Sequence, residues 1–236
     1  MPNRARSNHA ASTDAGSTDG RAVVMARQAT GVTDATSDPA HASPADAGPT
    51  DVPPQEDPRP DGLRSAPSLV LVNTGNGKGK STAAFGVMIR ALARGWRVAV
   101  LQFIKSGDWA VGEEKIGRQL GVDWSALGEG FTWDTQDPDH DREVARAAWA
   151  TAAAVIAAGE HDLVVLDEIT YLMTWGWIDT AEVVAAITDR PQHVNIVCTG
   201  RDAPAALIAV ADTVTDMTEV SHAYAKGIRA KRGIDY

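Results

Sequence analysis

The segment Thr74 to Thr82 reads TGNGKGKST and follows the apolar run Leu69, Val70, Leu71, Val72 directly. A glycine-rich stretch ending in Gly-Lys and two hydroxyl residues, placed between a strand and a helix, is a loop that wraps phosphate with backbone N–H groups at a helix N-terminus. This commits the chain to a strand–loop–helix unit at its core. The usual spacing puts four residues between the first glycine and the Gly-Lys-Ser/Thr ending, but counting back from Gly79 lands on Thr74 rather than on a glycine. Starting from Gly75, the loop is one residue shorter than that pattern. It is expected to grip a phosphate without holding the nucleotide as an ordinary ATPase does.

Composition limits how much of the 236-residue chain can belong to this fold. Residues 1–67 contain no Phe, Tyr, Trp, Ile, Lys or Cys, one leucine (Leu63), and nine of the twelve prolines. Such a segment cannot bury a core, so 1–67 is read as a disordered Ala/Asp/Pro/Ser/Thr-rich extension and 68–236 as one folded domain. The extension has no apolar segment of the ~7–15 residues a secretory signal needs behind Arg4 and Arg6, so none is expected, and its acidic residues argue against a transit peptide. No apolar run approaches the ~18 residues of a membrane span. The expected location is the cytoplasm. The formal net charge is −9, of which −3 falls in residues 1–67. The one short basic group, Arg229, Lys231 and Arg232, is too small to favour a nucleic-acid partner. Cys198, the single cysteine, lies in an apolar run and is expected in the core.

Along the folded part, apolar periodicity predicts a helix from Lys80 to Arg94 closed by Gly95, and a buried strand from Arg97 to Phe103. A short helix over 113–120 and a strand near 122–126 follow. After a loop from Gly128 bearing Phe131 and Trp133, Asp137 and Pro138 read as the N-cap and first residue of a long helix ending at Gly159. The run Leu163 to Leu166, closed by Asp167 and Glu168, is a buried strand with acids at its carboxyl end. A helix over 180–190, a strand over 194–199, a helix over 203–210 and a strand near 213–218 complete the series. Alternating strands and helices predict an α/β fold of the three-layer phosphate-loop NTPase type, a mostly parallel sheet with helices on both faces.

In such a sheet, ligands collect outside the carboxyl ends of the strands, so the loop and the acid pair should face one another. The expected nucleotide-binding residues are Thr74, Gly75, Asn76, Gly77, Lys78, Gly79, Lys80, Ser81 and Thr82. Lys80 would neutralise phosphate oxygens, Ser81 or Thr82 would offer a hydroxyl to Mg2+ (or Mn2+), and Asp167 or Glu168 would hold the same ion directly or through water. A kinase or hydrolase also needs a base or a water-positioning residue near the terminal phosphate, and beyond the acid pair the sequence supplies no distinctive candidate. His140, His161 and His193 fall at element boundaries and read as surface or cap residues, whereas His222 has no such explanation.

The folded part resembles the phosphate-loop family of ATP:corrinoid adenosyltransferases. The matching stretches are TGNGKGKST (74–82), QFIK (102–105), GFTWDTQ (130–136), VVLDEITY (164–171), TGR (199–201) and GIRAKRGIDY (227–236). Ser81 stands where that family more often has Thr, and Ser221 where a Lys is usual. The resemblance implies an enzyme that transfers the 5′-deoxyadenosyl group of ATP to Co(I) of a corrinoid, cob(I)yrinic acid a,c-diamide or cobalamin, releasing triphosphate. It implies a nucleotide gripped in reverse, with its terminal phosphate in the loop and its 5′-carbon facing the corrinoid. Co(I) is then the nucleophile and no protein base is required, which agrees with the missing base. Aromatic residues in a loop are usually packing anchors. The resemblance gives Phe131 and Trp133 another role, pressing on the lower face of the corrin to exclude its axial ligand. They join Lys80 as expected catalytic residues. An electron donor for Co(II) and a homodimer are also implied. An ordinary phosphate-loop ATPase or kinase, or a non-catalytic module that binds corrinoid and ATP, are the alternatives.

Overall fold

The computed structural model describes residues 61–104, 112–128 and 137–235. Residues 61–68 form neither helix nor strand and are mostly exposed. The expectations for residues 1–60 and for Phe131 and Trp133 lie outside the described residues.

Six strands form one parallel sheet in the order β3-β2-β4-β5-β1-β6. They are β1 (Val70–Thr74), β2 (Val98–Gln102), β3 (Asp123–Ala126), β4 (Leu163–Asp167), β5 (Asn195–Thr199) and β6 (Thr213–Asp216). The central strands are continuous apolar runs because both faces are covered. Side chains still alternate. On β4, Val164 and Leu166 pack with α3 (Pro138–Ala158), α4 (Ile169–Thr174) and α5 (Thr180–Thr188). Leu163 and Val165 face the other way, onto Ala84, Phe85 and Met88 of α1 (Lys80–Leu92). Helix α2 (Gly112–Gln119) joins that second layer, where Gly117 lies against the Trp124 ring so closely that a Cβ would collide with it. Each core Leu or Ile fully removed from water contributes about 1.5–3 kcal/mol, and the sheet supplies many of them. A short α6 (Ala205–Ala209) completes the α-helices of the described residues.

Local signals explain the boundaries. Asp137 accepts from the N–H groups of Asp139 and His140, both at 3.2 Å, with Pro138 opening α3. Gly159 ends that helix at φ 62°. Three helices are shorter than the sequence suggests. Helix α1 stops at Leu92 rather than Arg94, because the Arg94 and Gly95 N–H groups turn tightly back to the Ala91 and Leu92 carbonyls. Helix α5 stops at Thr188 because Arg190 turns back, donating from Nη1 to the Ile187 carbonyl and from Nε to the Val194 carbonyl. Helix α6 cannot begin before Pro204, which lacks an N–H and serves as its N-cap. Helix α4 was not anticipated: six residues are too few to display a helical period. His161 also departs from its reading as a surface or cap residue, since it is buried and its Nε2 lies 2.7 Å from Asp123 Oδ2. Cys198 is fully buried, and burial pushes its thiol up to about 12. It is an inert core residue.

Because the Asp137 side chain satisfies two N–H groups at the start of a 21-residue helix, Asp137→Ala should lower stability by about 1 kcal/mol. Denaturant unfolding is the check. The midpoint should fall while the slope with denaturant stays unchanged.

Candidate functional site

A cavity of about 270 Å3 opens at the carboxyl ends of β1, β4 and β5, lined by the loop from Asn76 to Thr82 together with Glu168, Tyr171, Arg201 and His222. Three strands aim their following segments into it, β1 with the loop, β4 with Glu168 and β5 with Arg201. Strands β1 and β4 do not touch each other, because β5 lies between them.

The loop's glycines have specific reasons. Gly75 (φ 92°) and Gly79 (φ 114°) occupy left-handed backbone that L side chains rarely adopt. A Cβ at Gly75 would collide with the Asp216 carboxylate, and one at Gly77 would lie 2.7 Å from the Met217 carbonyl oxygen. The segment that follows β6 thus packs directly on the loop, and the Gly77 N–H donates to the Met217 carbonyl. One donor that a longer loop would turn to a phosphate is satisfied within the protein. The start of α1 stays open, for its N-cap Gly79 offers no side-chain hydrogen bond and its first turn carries no acid. Unsatisfied N–H groups and the positive end of the helix dipole make it an anion site.

Lys78, Lys80 and Arg201 line the cavity at this helix start, together with the acids Glu113, Glu168, Glu219 and Asp235. Lys80 is partly buried and its Nζ donates to the Gly77 carbonyl at 2.6 Å, folded over its own loop. Burial, and next the nearby Arg201, hold the Lys80 amine below the ordinary lysine range, while Glu168 and Asp216 pull the other way. Burial likewise raises the Tyr171 phenol, against the opposing effect of Arg201. Lys78 is exposed and pairs with Asp235 at 2.6 Å. The C-terminal turn is thereby tied to the loop, with the Asp235 carboxyl held below its usual range by the Lys231 N–H and by Lys78.

The two acids are separated. Asp167, the last residue of β4, is fully buried. Its Oδ2 accepts from Gln102 Nε2 at 2.8 Å and its Oδ1 from Thr199 Oγ1 at 2.8 Å. Trp124 Nε1 donates to Gln102 Oε1 at 2.9 Å. An indole N–H can only donate, so the Gln102 amide is fixed with its nitrogen towards Asp167. Glu168 instead sits at φ 67° as the N-cap of α4, lines the cavity, and gives its N–H to Thr199 Oγ1 at 2.9 Å.

Of the residues expected at the nucleotide, Asn76, Gly77, Lys78, Gly79, Lys80, Ser81 and Thr82 line the cavity. Thr74 and Gly75 lie behind it, where Thr74 Oγ1 accepts from the Ala203 N–H at 3.1 Å. Ser81 and Glu168 share the cavity lining, and Asp167 does not reach it. Arg201 and Tyr171 are cavity residues to which sequence reasoning gave no role. Their signal was positional, one following a buried strand through a glycine and the other one helical turn past the acid pair. Trp175 is partly exposed and continues from Tyr171 with ring centroids 5.3 Å apart, and Trp177 follows at 4.8 Å.

Residues 67–236 match the family model described as ATP:corrinoid adenosyltransferase BtuR/CobO/CobP. The corrinoid adenosyltransferase of Pseudomonas aeruginosa is 44% identical over 175 residues, covering 73% of this chain and 86% of that protein. The corrinoid adenosyltransferase of Escherichia coli K12 is 41% identical over 168 residues, covering 71% and 85%. Among solved structures, the flagellar accessory protein FlaH of Methanocaldococcus jannaschii aligns with a TM-score of 0.40 at 10% identity, over 64% of this chain and 71% of that one.

The lowered Lys80 sets a pH dependence. Losing its proton removes a positive charge from the cavity, so affinity for inorganic tripolyphosphate should fall as pH rises through the Lys80 range, earlier than an ordinary lysine would allow. Lys80→Arg, which stays charged, should abolish that early fall even if it binds more weakly. Calorimetric titration between pH 7 and about 10 reads both.

Proposed function

The chain belongs to the ATP:corrinoid adenosyltransferase family, enzymes that adenosylate corrinoids with ATP in cobalamin biosynthesis, and we propose that its cavity grips the triphosphate tip and presents the 5′-carbon to the corrinoid. The observation that carries this reading is the phosphate loop itself. It is one residue short, with the Gly77 N–H committed to Met217, yet it opens on an uncapped helix start flanked by Lys80 and Arg201. That arrangement suits a compact terminal anion.

In this reading Lys80, the N–H groups at the start of α1 and the Arg201 guanidinium hold the phosphate oxygens. The Co(I) electron pair forms the cobalt–carbon bond at C5′ while the C5′–O5′ bond breaks, and the electron pair of that bond leaves with triphosphate. No proton moves, so no base is needed. The protein contributes alignment, which can supply on the order of 7–11 kcal/mol. It also stabilises charge on the leaving group, where removing one donor typically costs ~10² to 10³ in rate.

The donor set fits Mg2+. Among the described residues no group of three or more His, Cys, Asp or Glu could hold a metal, and the cavity offers the Ser81 hydroxyl and the Glu168 carboxylate. Mg2+ normally takes one or two protein oxygens and completes its shell with phosphates and water. Bound there, it would neutralise charge on the triphosphate. Glu168 is the proposed ligand, with Asp167 acting behind it.

Phe131 and Trp133 are proposed to press on the lower corrin face. A corrinoid deprived of its axial ligand is easier to reduce, because that ligand raises the orbital that accepts the electron. Ahead of Phe131 in sequence, Gly128 packs against the backbone of Phe103 and Ile104 at the carboxyl edge of β2, and after Trp133 the Asp137 side chain caps α3. Residues 1–67 are proposed as an extension outside the catalytic domain. The proposal also includes an external electron donor, a homodimer and a cytoplasmic location. Among the described residues no helix is long and apolar enough to cross a membrane.

Incubation with ATP, Mg2+ and chemically reduced corrinoid should yield triphosphate as the phosphorus product and a cobalt–carbon bond visible in the corrinoid spectrum. ADP or orthophosphate as the primary product would contradict the reading and favour a kinase or ATPase. Trp133→Ala should impair turnover from Co(II) far more than from pre-reduced Co(I). Equal losses would limit the ring to binding.

A further inference from the structure

The cavity's metal-holding acid and its arginine come from neighbouring strands, and two buried threonines cross the seam between those strands in opposite directions. Thr199, at the end of β5, accepts the Glu168 N–H and donates to Asp167. Thr170, in the first turn of α4 after β4, donates its hydroxyl to the Arg201 carbonyl at 2.6 Å. Both are fully buried. Between Thr199 and Arg201, Gly200 takes φ 136°, and a Cβ there would collide with the Thr170 hydroxyl. The Gly200 N–H donates to the Asn73 carbonyl at 3.2 Å, so the same turn is fastened to the strand that carries the phosphate loop.

The geometry points to Thr199 and Thr170 as paired positioning residues that set the metal-holding Glu168 and the phosphate-holding Arg201 respectively. This inference rests on the roles proposed above for those two cavity residues. Glu168 is a non-glycine residue in left-handed backbone, a conformation that persists only where surrounding contacts fix it. The Thr199 hydroxyl, which accepts the N–H of that residue, is one contact that fixes it. That hydroxyl can do so because its single proton is already directed at Asp167, leaving lone pairs for the Glu168 N–H. The line from Trp124 through Gln102 orients Asp167 from the other side. Valine has nearly the same shape as threonine and would fill either site without the hydroxyl, so the contribution of the hydrogen bonds can be separated from that of packing.

Two titrations divide the roles. Mn2+, which accepts the same oxygen donors as Mg2+, is titrated into the full chain saturated with tripolyphosphate and followed by the paramagnetic resonance of the free ion. Tripolyphosphate is titrated separately in metal-free buffer. Thr199→Val should weaken Mn2+ about tenfold or more, the usual effect of removing a partner that orients a metal ligand, and leave metal-free tripolyphosphate affinity within about twofold. Thr170→Val should do the reverse. Thr199→Ser and Thr170→Ser, which keep the hydroxyl, should retain both affinities. Equal losses in the two titrations, no loss in either, or a failure of the serine variants to retain binding would overturn the positioning roles. Glu168→Gln separates the two possible failures. Unchanged Mn2+ affinity in that variant overturns the metal assignment beneath the inference, whereas a loss there with none in Thr199→Val overturns the role of Thr199 alone.

Discussion

A line of hydrogen bonds inside the carboxyl edge of the sheet, from Trp124 through Gln102 and Asp167 to Thr199 and the Glu168 N–H, is the contact set on which the site depends. It crosses four neighbouring strands, β3, β2, β4 and β5. Every link has a defined direction: the indole can only donate, so Gln102 accepts from it and gives to Asp167, Asp167 accepts from both Gln102 and Thr199, and Thr199, its proton so committed, accepts from the Glu168 N–H. Burial strengthens such a chain and makes any missing member expensive. It also explains a division of labour between adjacent acids. Asp167 is consumed inside the protein, which leaves Glu168 for the cavity.

The phosphate loop is shaped from the opposite side. The residues after β6 press against Gly75 and Gly77 and take one N–H for themselves, so the loop presents the helix start and its cations rather than a full ring of N–H donors. A nucleotide held only at its phosphate end leaves the sugar accessible. For a reaction whose nucleophile is a cobalt centre of the second substrate, that exposure is what the chemistry requires, and charge stabilisation on the departing triphosphate is the protein's main electrostatic task.

Much of this was readable before any coordinates. Parallel strands covered on both faces appear as unbroken apolar runs, and Asp137-Pro138 and Gly159 mark the ends of α3 with little ambiguity. The glycine-lysine loop identified the cavity, and the family motifs identified the reaction. What could not be read was set by contacts distant in sequence. The six residues of α4 have no visible period, and the early stop of α5 depends on where the Arg190 side chain folds back. Consecutive residues at a strand end cannot both face one cavity, but which of Asp167 and Glu168 turns outward depends on Gln102 and Thr199, 65 and 32 residues from Asp167. Arg201 was passed over for a similar reason. Its backbone carbonyl is held by Thr170, from the far side of a strand seam.

The most direct measurement is a crystal structure of the full chain with ATP and Mg2+ bound. The account requires the terminal phosphate to lie against Lys80 and the start of α1, with the 5′-carbon directed out of the cavity. Adenosine seated against that helix start, with the phosphate tip turned outward, would contradict it.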